Sequence, residues 1–191
     1  MIIRKLFKFE SAHIVRGCST ERCKYSIHGH SYKAEILISS DTLDNGQMVM
    51  DFGLLKGAVK GAIDSFDHAI AIWNKDERGY IEFAKKYSRR WVSLPVSPSA
   101  EQFSRVIFVA IDAILKEFAY QNGELNVELH SVIIHETDTG YAQCFKEDAY
   151  SVKMGIIEPA NIIFSDEIKK ERSSLDFLDK IFTHNKDGEV K

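Results

Sequence analysis

Three histidines and two cysteines fall within eighteen residues of this chain, in the order His13, Cys18, Cys23, His28 and His30, with Gly29 between the last two. The stretch from 31 to 39 alternates Tyr32, Ala34, Ile36 and Ile38 with Lys33, Glu35 and Ser39, the period of a half-buried strand. Side chains at i and i+2 of a strand share a face, so His28 and His30 can reach one metal ion. The glycine between them leaves the opposite face bare and lets something approach the backbone closely. Residues 3 to 12 alternate in the same way, Ile3, Lys5, Phe7 and Phe9 against Arg4, Lys8 and Glu10, with Leu6 out of step and His13 at the end. If the two runs pair antiparallel, His13 returns beside His28 and His30. Three imidazoles with one coordination position open is the arrangement of catalytic rather than structural zinc.

Four further groups could do chemistry. Cys23 stands between Arg22 and Lys24, cations that favour a thiolate. Near a metal it could be a fourth ligand, a nucleophile or general base, or an inert loop residue; Cys18 competes for the same roles from the same loop. Asp67-His68 is a carboxylate beside an imidazole, either an orienter with its base or a favourable histidine at an exposed helix end. Glu136, where a strand meets a turn, is a surface carboxylate or an acceptor for adjacent N–H donors of a heterocycle. Cys144, His130 and His135 read as packing or surface residues.

The elements that must position these groups are legible to different degrees. At 191 residues, 45% hydrophobic and 28% charged, the chain has an ordinary globular composition and can bury a sizeable core. A net charge of −3 offers no general nucleic-acid or membrane surface. The start lacks the pattern of a signal peptide, no run approaches a membrane span, and three cysteines argue against a disulfide framework, so a cytoplasmic protein is expected. After the turn at Asp44-Asn45-Gly46, Asp51 can cap a helix whose apolar residues Phe52, Leu55, Val59, Ala62, Ile63 and Phe66 should pack inward. Residues 73 to 96 are hard to read, with a helix expected near 79 to 90. Ser99 and Gln102 form a capping-box pattern opening a helix with an apolar stripe from Phe103 to Phe118, stopped by Asn122-Gly123. Strands follow at 127 to 136 and 141 to 147. The order strand, strand, helix, helix, strand, strand predicts an α+β fold, a four-stranded antiparallel sheet with two helices on one face. Residues 174 to 182 suggest a short amphipathic helix, and 185 to 191 a frayed tail.

Together the segments Phe9-Glu10-Ser11-Ala12-His13, Cys23 with His28-Gly29-His30, Gly46-Gln47-Met48-Val49-Met50-Asp51-Phe52 with Leu55-Lys56, Phe66-Asp67-His68, Ser97-Pro98-Ser99-Ala100-Glu101-Gln102 and His135-Glu136-Thr137 resemble, in order, the 6-pyruvoyltetrahydropterin synthase family. The resemblance includes its bacterial branch, 6-carboxytetrahydropterin synthase of queuosine biosynthesis. It implies a tunnelling fold (T-fold) over residues 1 to 149, followed by an extension over 150 to 191. Four-stranded sheets would join into a barrel, usually a homohexamer of two trimers with sites at subunit interfaces. It also implies Zn2+ on His13, His28 and His30, catalysis by Cys23, Asp67 and His68, and pterin binding by Glu136, Glu101 and Ser99. The implied substrate is 7,8-dihydroneopterin triphosphate, whose phosphates Arg16, Arg22 and Lys24 could meet. The favoured product is 6-carboxytetrahydropterin, with acetaldehyde and triphosphate released; alternatives are the pyruvoyl product and a catalytically silent pterin-binding scaffold. A further branch, acting in folate synthesis, usually has glutamate at the cysteine's place, and Cys23 speaks against it.

Overall fold

The computed structural model describes residues 1–172 and 174–183; the frayed tail expected over 185 to 191 lies outside them. In chain order the elements are β1 (Ile2–His13), α1 (Glu21–Tyr25), β2 (His28–Ser39), α2 (Ala58–Asp64), β3 (Ala69–Trp73), α3 (Arg78–Tyr87), β4 (Trp91–Leu94) and α4 (Ala100–Lys116). Then come β5 (Glu128–His135), β6 (Tyr141–Cys144), α5 (Lys146–Ala149), β7 (Ile163–Phe164), α6 (Asp166–Glu171) and α7 (Asp176–Thr183). Among the described residues no helix is long and apolar enough to cross a membrane.

The expected antiparallel strands form one half of a larger sheet, ordered β6-β5-β2-β1-β3-β4-β7. β1 and β2 pair antiparallel along their full length, with His13 opposite His28. Beyond β1 the sheet continues through β3 and β4, both parallel to their inner neighbours, and ends on β7, antiparallel to β4. β3 reads Ala-Ile-Ala-Ile-Trp and is shielded on both sides, so it carries no period-two alternation by which a sequence reading could find it. One face of the sheet buries Phe9, Tyr32, Ala34, Ile36, Ile38, Val132 and Ile134 against α4, whose residues from Phe103 to Ile111 are all buried. On the other face Ile2, Leu6 and Lys8 are exposed.

Several local expectations give way to tertiary contacts. The helix expected from Phe52 starts as a 3₁₀ turn over Phe52–Lys56, capped by Asp51 through Gly53 N–H at 2.6 Å. Gly57, at φ −87° and ψ −106°, then breaks the axis before α2. Phe52 is consequently exposed, with the Lys5 ammonium 5.8 Å from its ring centre. α4 ends at Lys116, well short of Asn122-Gly123, while Phe118 and Tyr120 pack on the core from the following loop. Ser99 Oγ accepts from Gln102 N–H at 3.4 Å, but the reciprocal half of the capping box is missing. The Gln102 side chain turns to Met154 O and to Arg105 instead.

The described residues beyond 149 share the main core. Ile157, Ile162, Phe164, Ile168, Leu178 and Phe182 are buried in the cluster that contains α4. The anchor is Arg105 on α4, a buried guanidinium that donates to the carbonyls of Asp148 (2.8 Å), Ala149 (3.2 Å), Ser151 (3.1 Å), Met154 (2.6 Å) and Gly155 (2.7 Å), and to Gln102 Oε1. A guanidinium has five fixed N–H donors and no acceptor, so a cage of carbonyls can satisfy it without a carboxylate. Replacing Arg105 by methionine strands those carbonyls away from water. The Arg105→Met protein should lose about 3 kcal/mol of stability, read from its urea unfolding midpoint.

Candidate active site

The three histidines meet because β1 and β2 pair in a single register. His13 ends β1 opposite His28, and His30 lies one strand period further along. Their ring nitrogens come within 4.8 Å of one another. The His13 ring is buried, with Nδ1 2.5 Å from the carbonyl of Pro98. His28 Nδ1 lies 2.9 Å from Ser26 O. A carbonyl can only accept, so both Nδ1 atoms carry the proton and both Nε2 atoms present a lone pair. Those two Nε2 atoms face each other at 3.1 Å, and His30 Nε2 is buried without a partner. Lone pairs converging in this way repel unless a cation stands between them. Tetrahedral zinc with Zn–N bonds of 2.0–2.1 Å separates its nitrogen ligands by about 3.3 Å. The donor set therefore fits a metal ion of that kind, with backbone carbonyls orienting two of its ligands.

Burial, together with the nearby His28 and His30 rings, brings the His13 pKa down to about 4 despite the Pro98 contact. Its lone pair thus stays available through the neutral range. Tyr32, next on the same face of β2, is almost wholly buried, and its hydroxyl lies 3.4 Å from His13 Nδ1 and from Glu136 Oε1. Desolvation, reinforced by the Glu136 charge, pushes that hydroxyl far above its ordinary range, so it stays a donor. Sequence reading places Tyr32 only in the core face of a strand. Its position two residues after His30 was the available signal for a site role. Glu136 Oε1 is 3.7 Å from both His13 Nε2 and His30 Nε2.

A cavity of about 620 Å³ opens in front of the triad. Cys18, Cys23, Ser99, Glu101 and Glu136 line it together with the histidines. The structure thus brings most of the sequence-predicted residues to one place. The balance of thiol acidity runs against the expectation that Arg22 and Lys24 favour a Cys23 thiolate. Cys18 is held below its ordinary value, chiefly by the Thr20 N–H at 3.4 Å. Cys23 is pushed up by desolvation and by the neighbouring Cys18 thiol. Arg22 and Lys24 do not draw Cys23 down, because neighbours along α1 point to different sides; Lys24 reaches over the Tyr25 ring instead. Arg16 is also occupied: it pairs with buried Asp76 at 2.9 Å and sits 5.0 Å over Tyr80. Among the described residues, no arginine or lysine lines the cavity.

Asp67 and His68 stand elsewhere. They do touch, Asp67 Oδ2 to His68 Nδ1 at 2.8 Å. His68 lines a second hollow, of about 500 Å³, with Glu10, Ala12, Gly29 and Ser31. Glu10, Ala12, Gly29 and Ser31 have the opposite parity to His28 and His30, which puts most of the second hollow over the other face of the sheet, but Ser11 and His30 line it as well and His30 is shared with the triad's cavity. Burial raises the Asp67 carboxyl, but the Glu10 N–H, His68 and Arg90 outweigh it and hold the group below the usual carboxylate range. His130 and His135 stay outside both hollows; His135 Nε2 binds Glu35 at 2.8 Å. Cys144 is buried in the core, its thiol pushed up to about 12 by desolvation.

The family model described as 6-pyruvoyl tetrahydropterin synthase matches residues 2–147. A 6-carboxy-5,6,7,8-tetrahydropterin synthase of Helicobacter pylori strain J99 is 34% identical over 187 residues, 97% of this chain and 94% of that protein. The enzyme of the same name from Aquifex aeolicus is 35% identical over 164 residues, 76% of this chain and 98% of its own. Among solved structures, an uncharacterized Wolinella succinogenes protein has a TM-score of 0.58 at 20% identity, covering 77% of this chain and 98% of that one. The 6-pyruvoyl tetrahydropterin synthase of Caenorhabditis elegans has a TM-score of 0.51 at 19% identity, covering 76% and 94%. These neighbours share the T-fold.

The buried His13 makes the metal-free protein acid-sensitive. Below about pH 6.5 the unfolded chain takes up a proton that native His13 refuses until about pH 4, so stability falls across that window. Urea midpoints measured in chelator between pH 7 and 4 should register a loss of up to about 3 kcal/mol from this group. His13→Gln should flatten that part of the profile.

Proposed function

The chain belongs to the 6-pyruvoyl tetrahydropterin synthase family, and from that membership we propose that it is a zinc-dependent lyase converting 7,8-dihydroneopterin triphosphate to 6-carboxy-5,6,7,8-tetrahydropterin. Acetaldehyde and triphosphate would be released, as a step of queuosine biosynthesis in the cytoplasm. The observation that carries this reading is the 34% identity, over 97% of this chain, to the Helicobacter pylori 6-carboxy synthase, in a chain whose three histidines converge on one open cavity.

His13, His28 and His30 would hold the zinc. Bound there, zinc supplies a Lewis acid that acidifies hydroxyl and C–H groups of the substrate side chain. The protein's own residues do the rest. Cys23, at the wall of the same cavity, moves a proton between side chain and ring, with Cys18 beside it in the same wall. Glu136 accepts paired hydrogen bonds from the pterin ring's N–H donors. Tyr32 holds that carboxylate from behind. Ser99 and Glu101, at the start of α4, close the cavity on the helix side.

Asp67 fixes Nδ1 of His68 and leaves Nε2 for proton transfer. Because His68 lines a different hollow from Cys23, this role asks for a site completed by a second copy of the chain. A homohexamer of two trimers with sites between subunits meets that need, and the free edge of β6 offers a strand for sheets to join.

Product analysis with dihydroneopterin triphosphate tests the reading. 6-Carboxytetrahydropterin with acetaldehyde is expected; the pyruvoyl product would move the chain to the neighbouring activity, and no turnover would leave a binding protein. His28→Ala should abolish bound zinc and turnover together, measured by metal analysis and product formation. Cys23→Ala should keep zinc and assembly while turnover falls by at least about 100-fold; the same pattern in Cys18→Ala instead would identify the other thiol as the working one.

A further inference from the structure

The segment beyond the residues matched by the family model converges on the turn that carries Asp67 and His68. That turn needs holding. His68 has φ +51°, a left-handed conformation unfavourable for any side chain with a Cβ. Two bonds to β1 clamp it, His68 N–H to Glu10 O and Glu10 N–H to Asp67 Oδ1, both at 2.7 Å. The remaining clamp is Arg90, in the connection from α3 to β4. Its Nε donates to Asp67 O and its Nη2 to Asp64 O, each at 2.8 Å. Asp64 ends α2 and its carbonyl already takes the Asp67 N–H at 3.1 Å, while Asp67 lies in the turn beyond it, so one guanidinium adds a bond at the helix end and another in the turn and ties the two together.

Arg90 is itself held from the C-terminal segment. Its Nη1 pairs with Glu171, the last residue of α6. α6 is tied to β4 by Ser165 N–H to Trp91 O at 3.0 Å. The next residue, Arg172, lies between the Phe164 and Phe182 rings at 4.4 and 4.8 Å and pairs with Asp179 at 2.8 Å. Leu175 presses on α2 so closely that a Cβ at Gly61 would meet its Cδ1 at 2.5 Å. Glu171 differs from these packed residues: its side chain is 51% exposed and its ion pair is with Arg90.

We infer that Arg90 and Glu171 are positioning residues for the Asp67–His68 pair, Glu171 fixing the Arg90 guanidinium and Arg90 fixing the two carbonyls that set the turn. The C-terminal segment is thereby part of the catalytic apparatus without touching substrate. This inference rests on the proposed catalytic role of Asp67 and His68. It also explains why a half-exposed glutamate stands at the end of α6 facing a largely buried arginine.

The test uses the full-length, metal-loaded enzyme and the variants Arg90→Ala, Glu171→Ala, Asp67→Asn and His68→Gln. Removing a group that orients a catalytic residue typically lowers turnover 10- to 100-fold. Glu171→Ala should therefore lower kcat about tenfold, with KM and metal content unchanged, and Arg90→Ala should lower it further. Added to Asp67→Asn, Glu171→Ala should cause no further loss. Nitrogen NMR of labelled histidine, with His68 assigned by the His68→Gln spectrum, should show its ring leaving the single Nδ1–H tautomer in Glu171→Ala. An unchanged kcat and an unchanged His68 signal in Glu171→Ala, alongside an impaired Asp67→Asn, overturn the inference and leave the catalytic reading standing. Fully active Asp67→Asn and His68→Gln enzymes overturn that reading and the inference with it. If Arg90→Ala does not fold, the half-exposed Glu171 variant still decides.

Discussion

The register between β1 and β2 is the constraint on which the rest of the site depends. His13 must stand opposite His28 for three imidazoles to share one face, and a slip of one residue would turn His28 and His30 to the far side. What prevents the slip is the run of residues further along the same face. Phe9, Tyr32, Ala34, Ile36 and Ile38 are all buried on the same face as the histidines, so the hydrophobic pattern that builds the core also aligns the ligands. Tyr32 belongs to both arrangements: its ring stacks on Phe9 at 5.0 Å and its hydroxyl reaches Glu136. Core packing and site geometry are one solution here.

Two segments outside this strand pair stabilise the loops that carry chemistry. The connection after β3 contributes Asp76, whose buried carboxylate takes Arg16 and fixes the start of the cysteine-bearing loop. Val15 N–H then bonds to Cys23 O at 3.0 Å, closing that loop on itself. The C-terminal segment adds β7 to the sheet and is locked by the Arg105 carbonyl cage. Both segments are rich in charged side chains that look solvent-facing in the sequence. Several instead serve as single buried anchors, because a guanidinium with all its donors used is tolerated in the interior where an unpaired one is not.

The parts of the fold legible in advance were those written in a local period. Strand alternation located β1, β2 and β5, and the apolar stripe located α4. The same reasoning failed where period gave way to context: β3 and β4 are short and shielded on both sides, Phe52 was carried outward by the break at Gly57, and Gln102 found Arg105 and Met154 rather than its own helix end. At the site, the histidines could be inferred from spacing plus one assumed pairing. The thiol balance could not, since it turns on a backbone N–H from Thr20.

By itself, then, the sequence determined the family, the α+β class, and the residues able to bind a metal, since side-chain chemistry and strand parity are properties of neighbours in the chain. Only the tertiary structure decided that Cys23, Glu136, Ser99 and Glu101 face the histidines across one cavity while His68 lines another. It alone decided that the sheet runs on through three more strands and that the described residues beyond 149 join its core. These outcomes rest on contacts between residues tens of positions apart, set by which faces must be buried together, and no local pattern encodes them.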